Sequence, residues 1–159
     1  MKLIKFSAII FLILSSMAFS NHIETVVVYK IHNNNNTLSV SATMNKSYAS
    51  ILVMTKGNMV ASNNRGVQLN KIVKKNTNFN INGKDYNLKF DSAIVNKENL
   101  ELKYYVDNIP TNIYSLTMKN DVIVGNDDLA IVSAYVKIKN KSRKILRFNK
   151  KNNSRTITY

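Results

Sequence analysis

The chain has 159 residues, no cysteine, and 23 lysines and arginines against 9 acids, for a net charge of +14. That length suits one domain, and the missing thiols exclude disulfides, thiolate metal sites and cysteine nucleophiles. The basic balance points towards acidic partners.

Residues 1–20 read as an export signal that is cleaved. Lys2 and Lys5 give a positive start, residues 6–17 are apolar apart from serines, and Ala18-Phe19-Ser20 places small residues where a signal peptidase cuts. The apolar run is shorter than the roughly 20 residues of a membrane span. No cysteine follows it, so lipid attachment at a new N-terminus is not expected. Cleavage would leave residues 21–159 as a single domain of 139 residues, with 21 cations against 9 acids and a net charge of +12. Such a protein is expected in the periplasm, at the cell surface or outside the cell, with its apolar core as the sole source of stability.

Residues 22–32 alternate, with Ile23, Thr25, Val27, Tyr29 and Ile31 on one side, which predicts a strand. The asparagine tract 33–36 breaks it. Residues 37–44 resume the alternation through Leu38, Val40 and Ala42, so the two segments suit a hairpin. Residues 51–54 form a short apolar run of buried-strand length. Residues 59–61 and 67–69 flank a connection of turn formers at 62–66, and 71–77 reads as a basic link. Asn82-Gly83 is the preferred pair for a type I′ turn, because both central residues need positive φ. It joins 79–81 to 86–90 in the register Ile81 opposite Lys84 and Phe79 opposite Tyr86. That register sets Phe79, Ile81, Tyr86, Leu88 and Phe90 on one face.

Residues 100–106 alternate again, and 107–112 hold the only proline, Pro110, in a loop. Strands are expected over 113–118 and 121–124. Residues 129–139 give the strongest pattern of the chain, with Ala130, Val132, Ala134, Val136 and Ile138 on one side, and predict a central strand. Residues 145–148 and 156–159 complete the set. No mature segment shows a sustained helical period with a cap and a stop. The spacing of the segments predicts an all-β, immunoglobulin-like two-sheet β-sandwich of roughly seven to ten strands. A closed β-barrel is the alternative, disfavoured by a total of four glycines.

The catalytic inventory is thin. His22 and His32 fall on one side of a strand but about 33 Å apart, too far to share a metal. Asp127 and Asp128 are an adjacent pair in a turn, without the spaced oxygens of a calcium loop. No phosphate loop, nucleophile elbow or zinc motif is present, so neither an enzyme nor a cofactor is expected.

Charge carries the most chemical information. Residues 137–155 hold nine cations and no acid: Lys137, Lys139, Lys141, Arg143, Lys144, Arg147, Lys150, Lys151 and Arg155. Such a run attracts polyanions, among them acidic glycans and anionic lipid head groups. It reads equally as a solvated face whose lysines guard a sheet edge. Nucleic acid is a weaker partner, because only Tyr135, Phe148 and Tyr159 lie in or near the run and no stacking platform results.

An exported β-domain that opens on the alternating residues Ile23, Thr25, Val27, Tyr29 and Ile31 resembles the subunits of chaperone–usher pili, as does the aromatic Tyr159 at the C-terminus. The resemblance implies an incomplete immunoglobulin-like sandwich. In that case the N-terminal segment would be a donor strand filling alternate pockets of a neighbouring subunit. It further implies a structural or adhesive role, with other copies, pilus subunits and a periplasmic chaperone as partners. The other reading is a monomeric binding module for acidic ligands.

Overall fold

The computed structural model describes residues 24–56, 65–123 and 130–159. The expected signal, His22, Ile23 and the Asp127-Asp128 pair lie outside them. Ten strands and two helices are present among the described residues. They are β1 (Glu24–Asn34), β2 (Thr37–Asn45), α1 (Lys46–Lys56), α2 (Arg65–Asn76), β3 (Thr77–Ile81), β4 (Lys84–Tyr86) and β5 (Lys89–Val95), followed by β6 (Asn99–Val106), β7 (Ser115–Asn120), β8 (Ala130–Lys137), β9 (Lys144–Phe148) and β10 (Ser154–Thr158).

The strands form two sheets packed face to face, as the alternation predicts, and neither closes into a barrel. The six-stranded sheet runs β5-β6-β2-β1-β8-β9 and the four-stranded sheet β10-β7-β3-β4. Every pairing is antiparallel except β1 with β8, which is parallel. The inward residues of both sheets make one core. Tyr29, Leu38, Leu102, Val132 and Ala134 come from one side and Phe79, Ile81, Leu116 and Met118 from the other, each at most 1 % exposed. One polar knot ties the layers. The Tyr29 hydroxyl lies 3.0 Å from Thr77 Oγ1 and accepts from Asn120 Nδ2 at 2.9 Å. These groups satisfy one another, as buried polar atoms must.

The Asn82-Gly83 hairpin has the expected register, with Phe79 opposite Tyr86 and Ile81 opposite Lys84. Both turn residues have positive φ, 54° and 87°. The expected continuous strand over 86–90 is instead divided. β4 ends at Tyr86, Leu88 is buried, and β5 starts at Lys89 in the other sheet. Phe90 therefore leaves the shared face and sits 38 % exposed, edge-on to Tyr104 with ring centroids 5.7 Å apart.

Two helices stand where strands were expected. The run 51–54 belongs to α1, and 67–69 to α2. Asn45 caps α1, its Oδ1 accepting from the Tyr48 N–H at 2.6 Å. Tyr48, Ala49 and Leu52 then point inward, one helical turn apart. In α2 the buried set is Leu69, Ile72 and Val73, at helical spacing. Neither described helix is long and apolar enough to span a membrane. The strand expected from residue 121 is also absent: 121–123 are irregular and 124 lies outside the described residues.

Candidate functional site

β1 is an inner strand. It pairs with β2 on one side and β8 on the other. Of the expected donor residues, Val27, Tyr29 and Ile31 are buried in the protein's own core. Thr25 is exposed, because a register shift between Thr25 and Val27 turns the chain over and leaves Val26 and Val27 both buried. The expected single-sided set thus breaks at the bulge, and Ile23 lies outside the described residues.

The nine cations of residues 137–155 fall into three groups. β8 enters the sheet with Val132, Ala134 and Val136 inward, and β9 returns with Leu146 opposite Ala134 and Phe148 opposite Val132. The connection between them carries Lys139, Lys141 and Arg143, with Lys137 at its start. Asn140 holds a left-handed backbone there, φ 62°. Lys137 Nζ donates to the Lys141 carbonyl at 3.1 Å, and Lys139 Nζ donates to Asn35 Oδ1 at 3.1 Å. The Lys141 ammonium stands 6.0 Å above the Tyr159 ring and the Arg143 guanidinium 5.0 Å above the Tyr135 ring.

A second group lies where β9, an edge of the six-stranded sheet, meets β10, an edge of the four-stranded sheet. Arg155 Nε donates to the Arg147 carbonyl at 3.1 Å across this seam. A depression of about 360 Å³ opens between Ile145, Leu146, Arg147 and Arg155, and Lys144 lies at the start of β9. The third group, Lys150 and Lys151, sits in the connection after β9, at the opposite end of that strand from the first group. The single patch expected from sequence is therefore spread over two ends and a seam. Among the described residues, none of Lys137, Lys139, Lys141, Arg143, Lys144, Arg147 and Arg155 pairs with a carboxylate. Their polar contacts run to carbonyls, an amide and rings, so their charge is not cancelled locally.

The outer face of the six-stranded sheet adds cations that the linear run does not contain. Register sets Lys103, Ser41, Lys30 and Tyr135 side by side on four adjacent strands. The next row is Tyr105, Ser39, His32 and Lys137. Sequence reasoning missed Lys30, Lys103 and Tyr105 because they are scattered over the chain. The alternation of β1 and β6 placed each on an outer face, but strand order alone could bring them together. Among the described residues, no three potential metal ligands converge. No model of a known protein family matches the chain, and no curated protein matches it.

Proposed function

We propose that this protein is an exported, monomeric binding module that holds acidic ligands through its cationic surface. The supporting observation is that seven cations of residues 137–155 have no carboxylate partner among the described residues, so their field is directed at the solvent. Export rests on residues 1–20, with Lys2, Lys5 and the small residues Ala18 and Ser20. Assembly by strand donation has less support. Donation would require β1 to leave two neighbours and expose Val27, Tyr29 and Ile31, which are at most 1 % exposed.

The test is retention of the protein without residues 1–20 on a sulfated-glycan matrix under a salt gradient. A variant with Lys139, Lys141, Arg143 and Arg147 all changed to Gln should elute at lower salt, with a flatter dependence on ionic strength. Retention that does not change would overturn the reading.

A further inference from the structure

We propose that a groove along β2, on the outer face of the six-stranded sheet, binds a single chain of an acidic polysaccharide. The inference rests on the acidic-ligand reading above and assigns it a place and a ligand chemistry.

Along the groove β2 presents two short hydroxyl side chains to this face, Ser39 and Ser41. Its two neighbours present long ones. On β6 stand Lys103 and Tyr105; on β1 stand Lys30 and His32. Strands lie about 4.8 Å apart, so these two walls rise roughly 10 Å from each other over a floor of serines. The depression has a volume of about 480 Å³, within the usual range for a ligand site. Asp91, placed at a register shift in β5, and Glu101 also line it.

The mixture of groups selects the ligand. Lys30 and Lys103 face each other across Ser41 and suit one carboxylate or sulfate held between them. Tyr105 is 37 % exposed and lines the same groove. The Lys89 ammonium, paired with Asp107 at 2.7 Å, stands 6.0 Å over one side of the Tyr105 ring. The opposite ring face, which also carries the negative side of the aromatic quadrupole, favours the polarised C–H groups of a sugar ring. Ser39, Ser41 and the carboxylates of Asp91 and Glu101 offer acceptors to hydroxyl groups. Those two carboxylates would repel a dense phosphate surface, but they suit a polymer whose anionic groups are spaced by hydroxyl-rich rings. The ligand chemistry is therefore a uronic-acid-containing or sulfated glycan chain, in preference to a lipid surface.

The experiment compares three proteins, all lacking residues 1–20: unchanged, K30Q/K103Q, and Y105A. Each is titrated with a uronic-acid oligosaccharide by calorimetry and mixed with vesicles rich in anionic lipid. Circular dichroism and thermal unfolding establish that each variant is folded. All three positions are solvent-facing, so folding should be kept. We expect each variant to lose about tenfold or more in glycan affinity, with vesicle binding unchanged. The effect of Y105A is decisive, because a purely electrostatic surface does not register the loss of an uncharged ring. If the sulfated matrix still retains the protein but neither variant alters glycan affinity, the groove is refuted while the acidic-ligand reading stands. If vesicles bind and the oligosaccharide does not, the glycan assignment is refuted. Loss of all polyanion binding in the unchanged protein would refute both.

Discussion

The outer faces of the two sheets obey the same alternation yet differ in chemistry. On the four-stranded sheet, register aligns Asn80, Thr117 and Thr156 in one row and Asn78, Lys119 and Ser154 in another. These side chains satisfy one another: Asn80 Nδ2 donates to Asp85 Oδ1 at 2.7 Å, and the Thr117 and Thr156 hydroxyls are 2.8 Å apart. Lys119 lies 3.6 Å from an Asp121 carboxylate oxygen. On the six-stranded sheet, Lys30, Lys103 and Lys137 stand beside serines, tyrosines and His32. On the face of the four-stranded sheet the polar groups are bonded side to side, and Lys119 stands beside an acid. On the six-stranded sheet, Asp91 and Glu101 line the groove beside Lys30 and Lys103, and Lys89 pairs with Asp107. Lys30 and Lys103 themselves form no ion pair among the described residues, and that sets this face apart from the other.

This contrast requires that both faces rest on one common interior. Leu102, on the six-stranded sheet, and Leu116, on the four-stranded sheet, are both fully buried in it. Truncating either to alanine should destabilise the protein by a similar amount, roughly 2–5 kcal/mol, from lost transfer energy and the cavity left behind. Denaturant unfolding of the two variants measures this. If one truncation were silent, the sheets would not share a core and the two faces could not be compared on equal terms.

A somewhat smaller effect probes the knot between the layers. Burial pushes the Tyr29 phenol up to about 12, with the bonds from Thr77 and Asn120 opposing that rise. In the unfolded chain a tyrosine titrates near pH ~10. Between these values the unfolded state loses its proton first, so the native state is progressively disfavoured as pH rises. Below about pH 10 the contribution is fully present, and it is lost towards pH 12; a shift of this size corresponds to about 3 kcal/mol. Burial also raises the Tyr104 phenol, so Y29F should reduce the alkaline slope without abolishing it. Stability curves at pH 9, 10 and 11 for the two proteins test this. Identical slopes would mean that Tyr29 is not sealed between the sheets.

How much of this was legible in the sequence depends on which contacts decide each feature. The hairpin at Asn82-Gly83 and the strand Ala130–Lys137 are specified by local geometry and a two-residue period, and both are found where the residues predict them. The helices were misread because their apolar positions are few. Leu69, Ile72 and Val73 lie three and four apart in a basic segment, and Asn45 capping Tyr48 was the available start signal. The division of 86–90 between sheets was illegible, because tertiary packing of Leu88 decides it and alternation continues across the break. The candidate groove was illegible for a similar reason. Lys30, Ser41 and Lys103 become neighbours only through strand order, which a period of two does not encode.

The smallest effect separates the two faces most directly. Thr117 and Thr156 are cross-strand partners in register, and such a hydroxyl pair contributes roughly 0.2–1 kcal/mol relative to two alanines. A double-mutant cycle with T117A and T156A should return a favourable coupling in that range. Lys30 and Lys103 flank Ser41 as like charges across one strand. Their cycle, with glutamine at each site, should return no favourable coupling, and K30Q alone should leave stability within about 0.5 kcal/mol or raise it slightly. A face whose cations cost stability when present, and whose neutralisation weakens ligand binding, has been shaped by something other than folding. Were K30Q to destabilise the protein as much as T117A, the cations would be part of the fold's own bonding and the distinction between the faces would disappear.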